Sequence, residues 1–276
     1  MTSFFALKVL KKKLDFPKLW HSGTLDPLAS GCLLVAVWNY TKLLPYLEDT
    51  TKEYEFEVTL GGKSPSCDLW TPVTPISKVA FENFQKTLTR EWIEDILDEH
   101  FSGEIMQVPP KYSAIRIDGK KAHAKSREGE EFEMKARKVS IYSITILSFH
   151  FPKVTLKANV SSGTYVRSIA FDLGQYLGCG AYVSSLRRTR IAHLWIENAQ
   201  IVDDFDAHQV LDDTLFFPEW SLIQVEEKDC KRLDFWMEIS TKLLLKDDHI
   251  YFVKNAECIT HVVSHTKKRL QPLRKI

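Results

Sequence analysis

Apolar residues at the start of the chain are spaced three and four apart and are separated by lysines. They are Phe4, Leu7, Leu10 and Leu14. This spacing places them along one side of a helix, so it predicts a short amphipathic helix over residues 3–14. Residues 15–31 are rich in Gly, Pro, Ser and Thr, a composition that predicts a loop.

Strict alternation of apolar and polar positions begins at Tyr54 and continues to Leu60. It predicts a strand with one buried face. Further strands are predicted at 31–37, 112–117, 132–149, 154–161 and 189–196, and helical segments at 41–47, 92–101, 120–127 and 164–178. Strands and helices do not alternate as regular βαβ units, so we expect an α+β fold in which helices flank a mixed or antiparallel sheet.

The pattern changes after about Trp220, where short apolar runs predict strands at 242–245, 250–253 and 259–263. We therefore expect a large domain over residues 1–225 and a small β-rich domain over residues 226–276. A domain of about 50 residues buries only a marginal core by itself.

Charge and composition exclude several classes of protein. The 276 residues carry 37 Lys and Arg against 36 Asp and Glu, so a nucleic-acid partner would be bound by local basic patches rather than by a global field. The longest apolar run, Cys32–Trp38, is far shorter than the roughly 20 residues of a membrane-spanning helix. The five cysteines form no C-x-x-C pair, which argues against a zinc site or a disulfide framework and favours the reducing cytoplasm.

The loop segment H-S-G-T-L-D-P-L-A-S-G, residues 21–31, contains the clearest candidate chemistry. It holds one imidazole, His21, and one carboxylate, Asp26, which precedes a proline and is therefore biased towards extended backbone. Taken by itself, the segment also fits a turn that Asp26 caps, with a surface histidine beside it. Both interpretations stay open on the local sequence alone.

The same segment resembles the signature of the TruB family of pseudouridine synthases, which reads His-x-Gly-Thr-Leu-Asp-Pro-x-Ala-x-Gly. Further segments resemble that family in the same order along the chain. They are Thr41-Lys42-Leu43, Lys52-Glu53-Tyr54, Pro109-Pro110-Lys111-Tyr112-Ser113-Ala114, Gly163-Thr164-Tyr165-Val166-Arg167-Ser168 and Leu186-Arg187-Arg188. The resemblance spans residues 2 to about 225 and implies the family's catalytic domain there, followed by a shortened PUA-like RNA-binding domain over 226–276.

The resemblance also implies roles for single residues. The family's nucleophilic aspartate corresponds to Asp26, and its base-stacking tyrosine corresponds to Tyr54. Arg167 corresponds to the motif arginine, whose planar guanidinium can pair bidentately with a carboxylate. Asp68 corresponds to an aspartate that the family pairs with this arginine. The expected catalytic residues are therefore Asp26, Tyr54 and Arg167.

Three local groups of basic residues lie within or beside these segments. Residues 111–127 contain six basic residues against one acid, residues 267–276 contain five basic residues, and Arg187, Arg188 and Arg190 form the third group. Local patches suit phosphate contacts that position a folded RNA. The expected substrate-binding residues are His21, Lys42, Asp68, Lys111, Tyr165 and Arg188.

The resemblance implies isomerisation of uridine to pseudouridine in the T loop of tRNA, at position 55 by analogy with the family. Two alternatives stay open: a non-catalytic tRNA-binding or tRNA-folding protein on the same scaffold, and a pseudouridine synthase with another RNA target. The reaction needs no redox equivalent, metal or nucleotide, so we expect no cofactor and no metal ligands. We further expect a cytoplasmic monomer that requires no protein partner.

Overall fold

The computed structural model describes residues 1–14, 18–47, 50–206, 221–255 and 258–276. These residues form two compact units. The first contains residues 1–2, 24–33 and 48–199, and the second contains residues 3–23, 34–47 and 200–276. The second unit thus includes N-terminal segments as well as the C-terminal region. The assignment of residues 1–225 and 226–276 to a catalytic and a PUA-like domain stays a prediction.

The described helices are α1 (Ser3–Leu14), α2 (Lys78–Thr87), α3 (Arg90–His100), α4 (Ala122–Arg127), α5 (Val166–Tyr176) and α6 (Glu227–Asp234). The strands are β1 (Leu19–Ser22), β2 (Ala29–Gly31), β3 (Leu34–Val37), β4 (Lys52–Leu60), β5 (Gly62–Lys63), β6 (Thr74–Pro75), β7 (Gly103–Gln107), β8 (Arg116–Ile117), β9 (Lys120–Lys121), β10 (Arg137–His150), β11 (Lys153–Val160), β12 (Ala181–Ile191), β13 (Leu194–Trp195), β14 (Ser221–Gln224), β15 (Ile239–Ser240), β16 (His249–Lys254), β17 (Ile259–Thr266) and β18 (Arg269–Lys275). Short 3₁₀ segments lie at Trp38–Lys42, Leu44–Leu47, Ile196–Asn198 and Val202–Asp204. Within these described ranges, no helix combines the length and the apolar composition that crossing a membrane requires.

The first unit is built on a seven-stranded sheet in the order β13-β12-β4-β11-β10-β7, with β2 added in parallel to β12. The central strand β4 pairs antiparallel with β11 on one side and with β12 on the other. The alternation at residues 54–60 places the apolar side chains of β4 on one face, where Phe56 and Val58 are 1% and 0% exposed. The α5 residues Ile169 and Leu173 are buried in the same core, which fixes α5 against the sheet.

The second unit contains a five-stranded sheet in the order β14-β16-β17-β18-β15 and the separate antiparallel pair β1–β3. Phe252 on β16 and Val262 on β17 are fully buried. They share a hydrophobic cluster with Leu43, Leu44 and Leu47 of the 3₁₀ segments. One core therefore joins the segment after β3 to the C-terminal strands.

The predicted class is confirmed: the fold is a mixture of helices and a mixed sheet, with a β-rich C-terminal part. The helix predicted over 3–14 coincides with α1, and the segment 164–178 contains α5. The strand predicted at 54–60 lies within β4. Each of these segments has a long and regular apolar period, which is the sequence signal that local structure follows most closely.

Other predicted segments differ from the structure. Residues 15–31 contain β1 and β2 as well as loop, and residues 242–245 form no strand. Only the end of segment 112–117 is a strand, because its first carbonyl groups accept hydrogen bonds from α4 and from a side chain rather than from a neighbouring strand. The single strand predicted at 189–196 is two antiparallel strands, the end of β12, which begins at Ala181, and β13, because the chain turns at Ala192, whose φ is +51°.

Candidate active site

Asp26 and Arg167 form a bidentate ion pair in the first unit. Asp26 lies in the loop before β2, and Arg167 is the second residue of α5. The Nε and Nη2 groups of Arg167 donate to Oδ2 and Oδ1 of Asp26, both at 2.8 Å. The Arg167 side chain is 4% exposed and the Asp26 side chain 29% exposed, so the carboxylate can still be reached from solvent while its partner is enclosed.

The remaining nitrogen of Arg167 is held by two loops. Its Nη1 group donates to the carbonyl of Ser66 at 3.0 Å and to the carbonyl of Tyr112 at 3.1 Å. The same nitrogen lies 3.5 Å from Oδ2 of Asp68. Because the guanidinium is fixed by backbone groups as well as by carboxylates, its planar fork is pre-organised for Asp26.

Asp68 is enclosed behind this pair and is 1% exposed. Its Oδ1 atom accepts hydrogen bonds from Ser66 Oγ at 2.5 Å and from the backbone N–H of Trp70 at 2.8 Å. The structure thus places Asp68 beside Arg167, where the resemblance implied it. Its burial favours a role in holding Arg167 over direct contact with RNA.

The charge state of Asp26 is set by two opposing effects. Burial raises the pKa of its carboxyl above the ordinary value, and the charge of Asp68 raises the pKa further. The charge and hydrogen bonds of Arg167 oppose this increase, as does the charge of Arg188. The ionised form of Asp26 therefore depends on Arg167, and a weaker ion pair would raise this pKa still more.

Tyr54 lies on the core face of β4 and is 9% exposed. Burial raises the pKa of its hydroxyl, whereas the charge of Arg188 and a hydrogen bond with Arg188 lower it. The charge of Asp26 also acts on the pKa of Tyr54, in the raising direction. Tyr54, Arg188 and Asp26 are therefore electrostatically coupled within one unit.

Arg188 lies inside the protein, although the sequence analysis expected it to contact the substrate. It is 2% exposed, and its Nε group donates to the carbonyl of Cys32 at 2.8 Å. Residue 31 must be glycine for this arrangement, because its φ is +98° and a Cβ atom there would lie 2.1 Å from the Arg188 carbonyl oxygen. The parallel pairing of Gly31 with Arg188 thus ties the Asp26 loop to β12.

The sequence analysis missed Gln107, at the end of β7. Its side-chain amide pairs with both backbone groups of Tyr165: Oε1 accepts from the N–H at 2.8 Å, and Nε2 donates to the carbonyl at 3.1 Å. Tyr165 is the residue immediately before α5, so this clamp holds the helix end that carries Arg167. Ser168 Oγ adds a second tie by donating to the carbonyl of Val108 at 2.7 Å. No pattern in the sequence marks Gln107; its role is visible only from its complete burial at the end of β7 and from its two hydrogen bonds.

The other expected substrate-binding residues are placed in different ways. The ring of Tyr165 lies beneath Arg137 and beside Arg167, with guanidinium carbons 4.8 and 5.9 Å from its centre. Lys111 is exposed, and its ammonium lies 5.7 Å from the centre of the Phe132 ring. His21 and Lys42 belong to the second unit.

Comparison with known sequences assigns the chain to one family. The sequence model described as "TruB family pseudouridylate synthase (N terminal domain)" matches residues 11–166. The model described as "tRNA pseudouridylate synthase B C-terminal domain" matches residues 167–219. Asp26 and Tyr54 lie in the first match, and Arg167 opens the second.

Curated relatives carry the name tRNA pseudouridine synthase B. The protein of Syntrophomonas wolfei is 42% identical over 208 residues, which cover 74% of this chain and 67% of that protein. The protein of Campylobacter concisus is 34% identical over 271 residues, which cover 98% of this chain and 95% of that protein.

Solved structures share the fold at lower identity. A chain in the structure of an H/ACA RNP bound to a substrate RNA containing 2'-deoxyuridine has a TM-score of 0.69 and 19% identity. A chain in the crystal structure of a Cbf5-Nop10-Gar1 complex has a TM-score of 0.68 and 20% identity. Both likenesses cover 100% of this chain and 81% of the other chain. The two sequence models, which together match residues 11–219, and the Campylobacter concisus protein, which is 34% identical over 98% of this chain, show that the chain belongs to the TruB family of pseudouridylate synthases.

Proposed function

We propose that this protein isomerises uridine to pseudouridine in tRNA and that its target is the T-loop uridine at position 55. The observation that carries the proposal is the bidentate pair, at 2.8 Å for each bond, between Asp26 in the family's loop and Arg167 on α5. The relatives named tRNA pseudouridine synthase B support tRNA as the substrate. The T-loop position follows from the resemblance described above.

Asp26 supplies the nucleophilic carboxylate. The reaction breaks the N1–C1′ bond of uridine, turns the detached base and forms a C5–C1′ bond, after which C5 loses its proton and N1 gains one. An ionised carboxylate can form and release a covalent bond during this exchange. Arg167 keeps the carboxylate ionised by opposing the pKa increase that burial causes.

Tyr54 and Arg188 form the second part of the site. The target base must leave its stack before it reacts, which costs a few kcal/mol. An aromatic face that receives the base offsets about 1–3 kcal/mol of that cost. In this arrangement Tyr54 offers the ring, and the buried Arg188 holds the tyrosine hydroxyl. Arg188 then acts as a positioning residue and leaves phosphate contacts to exposed side chains such as Lys111.

The presence of Asp26, Tyr54 and Arg167 in one coupled cluster favours catalysis over a purely RNA-binding role on the same scaffold. A binding protein would not require a carboxylate whose two oxygens are fixed by a buried arginine.

We also propose that the protein acts in the cytoplasm as a monomer without a protein partner. Size-exclusion chromatography with light scattering, in the presence and absence of tRNA, tests the monomer.

The proposal is tested with the Asp26→Asn variant and a tRNA transcript carrying tritium at C5 of uridine. We expect tritium release to fall below about one percent of the wild-type rate, while the Kd for tRNA changes by only a few fold, because phosphate contacts supply most of the affinity. Asp98→Asn, at an exposed position of α3, is the matched control and keeps full activity. A wild-type protein that releases no tritium, or releases it equally from a transcript with cytidine at position 55, contradicts the proposal.

A further inference from the structure

Two tryptophans of the second unit are exposed beside the antiparallel pair β1–β3. Trp20 lies on β1 and is 64% exposed, and Trp38 directly follows β3 and is 51% exposed. Trp20 is paired in register with Ala36. The backbone N–H of Trp38 donates to the carbonyl of Lys18 at 2.9 Å, which extends the pairing by one residue on each strand. Residues 18 and 20 lie on one face of the strand because side chains alternate along it.

The backbone of Trp38 is in a conformation that bulky residues rarely adopt. Its φ is +48°, in the left-handed region, which costs about 1–3 kcal/mol for a residue other than glycine. The conformation is held on both sides: the N–H is bonded to Lys18, and the carbonyl accepts a hydrogen bond from Thr41 Oγ1 at 2.7 Å. Because half of the Trp38 side chain is exposed, its ring contributes little to the core, and the ring is accessible to a ligand.

Lys42 ends the 3₁₀ segment that Trp38 begins, and three further cations of the second unit, Lys18, Arg274 and Lys275, act on it. The Nζ group of Lys42 donates to the carbonyl of Lys275 at 2.8 Å. Partial burial and the charges of Lys18, Arg274 and Lys275 together lower the pKa of Lys42. Asp234 neutralises part of the cluster through Lys275, at 2.7 Å. A polyanion would relieve the remaining repulsion.

We propose that these residues form a binding surface for a single-stranded segment of the substrate RNA, with bases stacked on the tryptophans and phosphates paired with the cations. We call it the hairpin surface; its residues are Lys18, Trp20, Trp38, Lys42, Arg274 and Lys275. Exposed aromatic rings beside a basic groove are the combination that binds single-stranded nucleic acid without reading its sequence. The inference rests on the proposed function, because it takes the partner to be the RNA on which Asp26 acts.

Removing the Trp38 ring separates RNA binding from folding. Trp38→Gly also relieves the positive φ, so we expect an unchanged or higher melting temperature. The Kd for an unmodified tRNA transcript, measured by filter binding in an Asp26→Asn background, should rise about 5- to 100-fold, the range that one base–aromatic stack supplies. Trp236→Gly is the matched control: Trp236 is 61% exposed with a φ of +59°, but it lies between Asp234 and Glu238. We expect its Kd to stay within about twofold.

Short RNA probes then identify what the surface binds. The wild-type protein should bind oligouridine more tightly than a duplex RNA of equal length, and Trp38→Gly should weaken oligouridine binding while leaving inorganic polyphosphate binding unchanged. Lys42→Gln should flatten the salt dependence of oligouridine binding by about 0.7 for each lost phosphate contact.

Three results overturn the inference: an unchanged Kd in Trp38→Gly, an equal loss in Trp236→Gly, or polyphosphate binding that falls together with oligouridine binding. Its failure is distinguishable from failure of the proposed function. The tritium assay at saturating wild-type enzyme tests the chemistry, whereas these titrations measure binding in a background that lacks Asp26.

Discussion

Replacing Arg167 by lysine retains the positive charge and removes the planar fork. Arg167 makes four hydrogen bonds: two to the Asp26 carboxylate at 2.8 Å, one to the Ser66 carbonyl and one to the Tyr112 carbonyl. An ammonium on the shorter stem can replace one bond to Asp26 and one bond to a carbonyl. The variant therefore loses one charge-assisted bond and leaves one buried carbonyl without its donor.

The magnitude follows from these two losses. A hydrogen bond to a charged group contributes about 1.5–3 kcal/mol, and a buried acceptor left without a donor costs about 1–3 kcal/mol. Together they lower the free energy of unfolding by about 2.5–6 kcal/mol. If the lost bond to Asp26 acts in the transition state, it corresponds to about a 10- to 100-fold slower reaction.

The pH profile gives the more specific result. Asp26 is active as the carboxylate, so the rate falls as the pH falls through its pKa. Burial already raises this pKa, and Arg167 opposes the increase. With the weaker partner the pKa rises further, and the acid limb of the single-turnover rate should move to higher pH. Tritium release at saturating enzyme between about pH 5 and pH 8 measures this limb.

Arg190→Lys is the matched control for this experiment. Arg190 donates to the carbonyl of Ala192 at 2.7 Å and stacks on Trp195, but among the described residues it forms no ion pair with a carboxylate. We expect it to keep the wild-type acid limb even if stability falls. An Arg167→Lys enzyme with a wild-type rate and an unmoved acid limb would refute the view that the bidentate pair controls Asp26.

Four further variants, at three positions, test neighbouring parts of the structure. Tyr54→Phe should keep tRNA affinity because the aromatic ring remains. Tyr54→Ala should lose activity, measured by tritium release, and about 3–5 kcal/mol of stability, measured by urea unfolding. A wild-type rate in Tyr54→Ala would mean that the tyrosine serves only the core. Gln107→Leu should release the clamp on Tyr165 and move the acid limb upward as Arg167→Lys does, and a melting temperature that falls with an unmoved acid limb contradicts a positioning role. Burial raises the pKa of Asp172 to about 6 from its ordinary 3.8. The folded protein therefore binds this proton more tightly than the unfolded chain, and the free energy of unfolding falls as the pH rises from about 4 to about 6. Asp172→Asn should therefore be more stable than the wild type at about pH 7.5, by at most about 3 kcal/mol, with the difference disappearing near pH 4 in thermal unfolding.

The hydrophobic pattern by itself determined the elements with long, regular periods. The alternation at residues 54–60 predicts β4 and its buried face, and the four-residue spacing at 164–178 predicts α5. The resemblance then indicated Asp26 and Arg167, which are 141 positions apart in sequence, as catalytic residues, and the structure brings them into contact. Local periodicity and short motifs are properties of neighbouring residues, so they can be read without knowing which distant segments meet.

Tertiary structure decided the surroundings of those residues. Arg188 belongs to a run of arginines that suggests an exposed basic patch, yet its register opposite Tyr54 of β4 places it on the same face of β12 as Leu186, where it is 2% exposed. Gln107 has no distinguishing neighbour in sequence, and its role exists only because the end of β7 meets the start of α5. The core shared by Leu43, Phe252 and Val262 likewise joins segments some 200 residues apart. Such contacts depend on strand order and register, which are set by packing over the whole chain, and no local pattern encodes them.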